Sequence, residues 1–177
     1  MYVAFLRGMN LGKRRIKNPE LCACFEALGY REVSAFLASG NVLFDCDQGA
    51  AGLERAIEGG LEARLGYPVP TFVRSASEVA TIAARDPFDA ATRKRLGGKH
   101  QIAMLNAAPN AKARKAALAL ATPDDALASI GKELHWLPAG GTSDSELQIK
   151  ELEKLLGGLT IRTQRTLERL ADKLASG

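Results

Sequence analysis

The residues of this chain whose types and spacing could do chemistry lie in two segments about thirty residues apart, Leu6-Arg7-Gly8-Met9-Asn10-Leu11-Gly12-Lys13 and Ser39-Gly40-Asn41-Val42. Core packing demands neither of them. An arginine fork, two carboxamides, a hydroxyl and glycine-freed backbone N–H groups suit the recognition of an anion, with phosphate or carboxylate the expected type. Lys13, Arg14, Arg15 and Lys17 add positive charge in the same stretch. Each residue also has an ordinary structural use. Asn10 can cap a turn, Arg7 can pair with a carboxylate, and Ser39-Gly40-Asn41 is common hairpin chemistry. The run from Lys13 to Lys17 reads as a solvated loop before it reads as a binding patch.

Other candidate motifs fail on spacing or charge. Gly8 to Arg14 is one residue short of a phosphate-binding loop and lacks the Ser or Thr that would reach magnesium after the lysine. Gly140-Gly141-Thr142-Ser143 could cradle a phosphate at a helix start, but Asp144 and Glu146 place negative charge there, so a flexible cap is the favoured reading. His100 and His135 have no cysteine or carboxylate at metal-ligand spacing, so no metal site and no cofactor is expected. Trp136 alternates with apolar neighbours and reads as core. No nucleophile elbow or paired catalytic motif occurs.

Composition sets the class. A chain of 177 residues can bury a sizeable core as one generous domain or two small ones. Its net charge of +4, with acids interleaved throughout, permits anionic partners without demanding nucleic acid. The first apolar run, Tyr2 to Leu6, is too short for a signal-peptide core and no later stretch approaches a bilayer span, so a cytoplasmic location without a membrane partner is expected. Cys22, Cys24 and Cys46 are odd in number and lack metal spacing, and they read as buried reduced thiols.

The elements that must position the two motifs follow from periodicity. Tyr2 to Arg7 reads as a strand. Asn18-Pro19 gives an N-cap and first-turn signal ahead of a helix with Leu21, Cys22, Phe25 and Leu28 on one face and Gly29 as its stop. Val33 to Ala38 and Val42 to Asp45 form a hairpin across Ser39-Gly40-Asn41. A helix carrying Leu53, Ile57, Leu61 and Leu65 and a strand from Val69 to Arg74 complete a β-α-β-β-α-β unit. The order then repeats. A connecting helix near Ser77 to Ala84 and a basic loop from Arg93 to Lys99 lead into a strand at Gln101 to Asn106 and a helix at Pro109 to Leu120. Strands at Ala126 to Ile130 and Glu133 to Leu137 follow, then a helix opened by a Ser143 to Glu146 capping box, a strand at Leu159 to Arg162, and a final helix. No residue-level repeat accompanies this duplication of topology. The expected fold is α+β: two ferredoxin-like plaits packed together, with an additional C-terminal helix. Residues 1–75 form the first, 76–99 the connecting helix and basic loop, and 100–177 the second plait-like domain.

In such a unit the strand order is 4-1-3-2, so the end of strand one lies beside the start of strand three. Arg7, Gly8 and Asn10 should therefore meet Ser39, Gly40 and Asn41 at one end of the sheet.

The two motifs also carry a family resemblance. The chain resembles the domain-of-unknown-function 1697 family of bacterial proteins, whose opening is similar to Leu-Arg-Gly-Ile-Asn-Val-Gly-Gly and whose hairpin is similar to Ser-Gly-Asn-Val-x-Phe. Here these are Leu6 to Gly12 and Ser39 to Phe44. The resemblance extends over nearly the whole chain and implies two ferredoxin-like plaits, but no activity. The chain departs from the family near its C-terminus. A Gly-Arg-Ser-Lys-Leu stretch is replaced by Ser143-Asp144-Ser145-Glu146-Leu147, exchanging both bases for acids. Of a Thr-Arg-Asn-Trp-x-Thr stretch, Arg162 and Thr166 remain in Thr160 to Thr166, while Asn and Trp do not. A cation supplied by the second domain would come from Arg162, or from Arg165 beyond it.

The leading expectation is a protein that binds a small anionic or phosphorylated ligand near the domain seam through Arg7, Asn10, Lys13, Ser39, Asn41 and Arg162. One alternative is an acylphosphatase-like phosphoryl hydrolase, because Arg7 and Asn41 resemble the arginine and asparagine of that single-plait fold. The other is an RNA-binding plait, the less favoured partner class, with Phe5 and Phe36 on strands but no aromatic-basic third-strand motif.

Overall fold

A computed structural model describes residues 1–9, 15–37, 40–47, 49 and 51–176. Two compact units share the chain, one holding residues 1–81 and the chain end from Leu170, the other holding Ile82–Arg169. In the first, β1 (Tyr2–Leu6), α1 (Asn18–Ala27), β2 (Arg31–Phe36), β3 (Asn41–Asp45), α2 (Leu53–Leu65) and β4 (Thr71–Ser75) follow in order. Their four strands form an antiparallel sheet in the order β2-β3-β1-β4. α3 (Ala76–Ala83) and α4 (Ala90–Leu96) come next. β5 (Gln101–Met104), α5 (Ala111–Leu118), β6 (Asp125–Ile130), β7 (Glu133–Pro138), α6 (Ile149–Leu156) and β8 (Thr160–Thr163) repeat the pattern, and α7 (Gln164–Ser176) ends it. The second sheet has the matching order β6-β7-β5-β8. These are two ferredoxin-like plaits, the α+β fold expected from periodicity. Among the described residues no helix is long and apolar enough to cross a membrane.

Each sheet buries one face under its own helices. Leu21, Cys24 and Phe25 of α1 and Leu53, Ile57 and Leu61 of α2 pack with Ala4, Leu6, Val42 and Phe44. Their spacing of three and four residues gives each helix one apolar stripe. Tyr30 packs against Phe44 with the rings tilted by 48° and their centroids 4.7 Å apart, which seats the turn after α1 on the sheet. In the second unit Ala117, Trp136, Leu147 and Leu152 close an equivalent core over Ala103 and Leu134. The opposite side chains of β1, Val3 and Phe5, are fully buried as well. Cys24 is buried and Cys22 and Cys46 are partly buried, all three as free thiols.

Three local expectations differ from the structure, each for a definable reason. The stretch from Arg93 to Lys99 is not a loop throughout, because α4 occupies most of it. The Asp89 carboxylate accepts the Thr92 N–H at 2.7 Å to cap that helix, and Gly97 at φ +68° ends it. The capping box at Ser143 opens no helix. Ser145 Oγ donates to Asp125 at 2.7 Å and accepts the Leu147 N–H at 3.0 Å, holding this segment as a loop until α6 starts at Ile149. The cap of α1 is Lys17, whose N–H donates to Glu20 at 3.2 Å, and Asn18 lies inside the helix.

A residue-level repeat also emerges that the linear sequence hides. Val73-Arg74-Ser75 and Ile161-Arg162-Thr163 occupy equivalent places in β4 and β8. Arg74 pairs with Val3 of β1 and Arg162 with Ile102 of β5. Each guanidinium donates to the carbonyl of its preceding residue, at 2.9 Å to Val73 and 2.8 Å to Ile161. Each following hydroxyl, Ser75 or Thr163, accepts the N–H three residues on at 3.2 Å, launching α3 and α7.

Candidate functional site

The end of β1 is built by backbone chemistry. Register pairs Phe5 with Asn41, the Leu6 N–H donates to the Gly40 carbonyl at 2.7 Å, and the Arg7 N–H donates to the Pro70 carbonyl at 2.9 Å. Arg7, half-buried, therefore leaves the sheet between the β2–β3 hairpin and the segment entering β4. Gly8 turns the chain with φ +74°. The following residue, Met9, lies so close to the hairpin that a Cβ on Gly40 would sit 2.9 Å from its Cγ and 3.2 Å from Leu6 Cβ. Gly40 itself has φ +70°, a conformation that side-chain-bearing residues resist. The two glycine-bearing turns are thus packed directly on one another, as the strand order requires.

The carboxamide of Asn41 is 1% exposed, and its Nδ2 donates to the Phe36 carbonyl at 3.1 Å. That bond ties the two ends of the hairpin together. Leu37, between them, holds φ +60°, an uncommon conformation for a branched apolar residue. Asn10, Lys13 and Ser39 lie outside the described residues. Arg162 belongs to the second unit, where its Nη1 donates to Thr160 Oγ1 at 2.9 Å and to the Ile161 carbonyl, and where burial pushes its pKa down to about 10.

The second unit contains a polar cluster that sequence reasoning missed. His100, immediately before β5, and His135, on β7, approach to 3.0 Å between Nε2 and Nδ1. His100 Nδ1 lies 2.7 Å from Gln164 Oε1, and Gln164 Nε2 donates to the Ala83 carbonyl at 3.2 Å. The carbonyl fixes the orientation of the amide, so Oε1 accepts from a protonated His100 Nδ1. His100 Nε2 then accepts from His135 Nδ1. The order leaves His135 Nε2 as a bare lone pair, and it is the buried side-chain polar atom without a partner among the described residues. Arg93, paired with Asp86, stands 3.3 Å from His100, and Phe88 meets the same ring edge-on. Burial lowers both histidine pKa values, that of His135 to about 4, with the neighbouring His100 adding to the shift. Both rings are consequently neutral near pH 7.

The spacing of 35 residues gives no local signal for this pair. The register does: Gln101 faces Trp136 and Ile102 faces His135, which makes His100 and His135 diagonal neighbours on one face. No group of three or more metal-ligating side chains is placed to hold an ion among the described residues.

Comparison with known proteins agrees with this architecture. A conserved bacterial protein from Streptococcus pneumoniae has a similar structure over 98% of this chain and 97% of its own, with a TM-score of 0.73 at 19% identity, a likeness of fold. No curated protein matches the chain. The family described as protein of unknown function, DUF1697, matches residues 1–135, more than half of the length. The paired glycine motifs, the duplicated plait and this match agree, and the chain belongs to the DUF1697 family.

Proposed function

We propose that the protein binds a small anion, a phosphate or carboxylate compound, in the corner at the end of β1. The ligand contacts in this reading are Arg7, Asn10, Lys13 and Ser39, with the buried Asn41 closing the hairpin beside them. The observation that supports it best is the direct packing of the Gly8–Met9 turn on Gly40, with Arg7 leaving the sheet beside it. Two glycines with positive φ, Gly8 and Gly40, bring two turns together at one sheet end, the kind of backbone concavity that receives an anion. The committed Asn41 amide ties the hairpin ends together, which preorganises the backbone beside Arg7.

Phe5 is fully buried, which speaks against base stacking on β1 and leaves the RNA reading the weaker one. Acylphosphatase-like hydrolysis uses the same arginine and is tested alongside binding. Purified protein and its Arg7→Ala variant are screened by thermal shift against inorganic phosphate, phosphate esters, acyl phosphates and dicarboxylates. A ligand that raises the melting temperature of the unmutated chain and leaves that of Arg7→Ala unmoved is the expected result. An equal shift in both proteins contradicts the assignment, and turnover of the acyl phosphate would convert the binding site into an active site.

A further inference from the structure

A different part of the molecule, wholly within the second unit, offers a better-defined pocket. Arg93, Lys99, His100, Gln164, Arg165 and Glu168 line a cleft of about 360 Å³. It adjoins a second cleft of about 550 Å³, because Lys99 and Thr163 belong to the walls of both. We infer that these joined clefts bind a phosphorylated polyol or sugar, with the phosphate in the cationic part and the hydroxylated body in the other.

The charge distribution selects the phosphate end. Three cations and one carboxylate line the smaller cleft. Arg93 is balanced by its ion pair with Asp86. Lys99 and Arg165 are both exposed, and together they outweigh Glu168. α7, 13 residues long, starts at Gln164 on the same wall and directs its positive dipole end there. The floor is rigid. The Gln164 N–H donates to the His100 carbonyl at 2.9 Å, while the Gln164 and His100 side chains are locked in the chain that ends at His135. A neutral histidine in this wall neither repels nor neutralises the ligand, so Lys99 and Arg165 supply the attraction.

The larger cleft selects the body. Gly97, Gly98, Gly140 and Gly141 give it a floor of bare backbone, with Gln101, Thr142 and Ser143 as the polar side chains around it. Gly97 bridges Ala139 in antiparallel fashion, and a Cβ on Gly98 would fall 2.1 Å from the Pro138 carbonyl oxygen. Two backbone segments therefore meet without side chains between them. Hydroxyls, a carboxamide and peptide groups match a polyol. Among the described residues neither cleft is lined by Phe, Tyr, Trp or a long aliphatic side chain, and the one aromatic ring, the His100 imidazole, is held in the hydrogen-bonded chain to Gln164 and His135 with no second ring to sandwich a nucleobase. The combined space is the size of a small-metabolite pocket.

Isothermal titration of the full chain in chloride buffer tests the assignment. The probes are glucose 6-phosphate, ribose 5-phosphate and glycerol 3-phosphate, compared with glucose, inorganic phosphate and adenosine monophosphate. At least one of the three phosphorylated polyols binds saturably and more tightly than all three comparison compounds. The exposed-residue variant Lys99→Ala/Arg165→Ala weakens that binding by at least about tenfold, equivalent to about 1.4 kcal/mol. Arg7→Ala leaves it unchanged, which separates this cleft from the corner at β1. Absence of saturable binding by all three polyol phosphates, unchanged affinity in the double variant, loss in Arg7→Ala, or a preference for the nucleotide would each overturn the inference.

Discussion

Gly40 shows how much one residue does at the end of β1. Its φ of +70° and the 2.9 Å approach to Met9 Cγ leave room for hydrogen alone. Gly40→Ala should therefore destabilise the chain by about 1–2 kcal/mol, read by urea denaturation. Gly59, inside α2, is the matched control: a Cβ there meets nothing within 4 Å and the backbone is already helical. Gly59→Ala should stabilise by up to about 1 kcal/mol, and a loss of equal size at both positions would contradict the packing described for the corner. The special role of Gly40 was legible from the Ser-Gly-Asn hairpin signature. The carboxamide of Asn41 was legible as a type and not as a partner, because its acceptor, Phe36, is fixed only when the hairpin closes. At His135, burial and the neighbouring His100 hold the pKa near 4, against about 6.5 in an unfolded chain. The unfolded state then takes up a proton that the folded state excludes, so stability present above pH 6.5 is lost as pH falls toward 4. That loss amounts to about 3 kcal/mol, and His135→Leu should flatten the slope of denaturation midpoint against pH in this window. An unchanged slope would mean that the ring is already charged in the folded protein.

Elements were read well where periodicity is local and less well where a tertiary bond decides. α1 and α2 announce themselves by apolar stripes and glycine stops, and the two hairpins by glycine between β-rich runs. α4 is harder to see because Arg93-Lys94-Arg95 resembles a solvated loop, although Asp89 and Gly97 bracket a helix by capping chemistry alone. The late start of α6 has a non-local cause. Asp125, 1% exposed at the head of β6, accepts from Trp136 Nε1 at 2.6 Å, Ser145 Oγ at 2.7 Å and Thr122 Oγ1 at 2.8 Å. One carboxylate thus joins β6, β7 and the segment before α6, and its bond to Ser145 holds as a loop the stretch that a Ser143 cap would have started as helix. Asp125→Ala leaves three donors without their acceptor and should cost about 2–4 kcal/mol in chemical denaturation. A cost below about 0.5 kcal/mol would show that the network contributes no specific stability. The histidine pair belongs to the same class of feature, visible only after the register of β5 and β7 is known.

At the scale of the whole molecule, one topology is used twice. β4 and β8 each carry an arginine, buried at Arg74 and half-buried at Arg162, that bonds its own strand, and a hydroxyl that caps the following helix. The duplication extends to the edge of each first strand, where Leu6 and Leu105 donate their N–H groups to Gly40 and Lys132. The units diverge in their glycines and cations: the first concentrates them at the end of β1, and the second places them around Lys99 and the start of α7. On the two proposals made above, plaits of one form carry different recognition chemistry, an anion corner in the first and a polyol-phosphate cleft in the second. The most direct measurement is an amide chemical-shift titration of isotope-labelled protein with the phosphate or carboxylate compound that gives the largest thermal shift. Saturable perturbation of the Arg7, Gly8 and Gly40 amides, abolished in Arg7→Ala, is the predicted result; amides at these positions that stay unmoved through saturation would contradict the anion site at the end of β1.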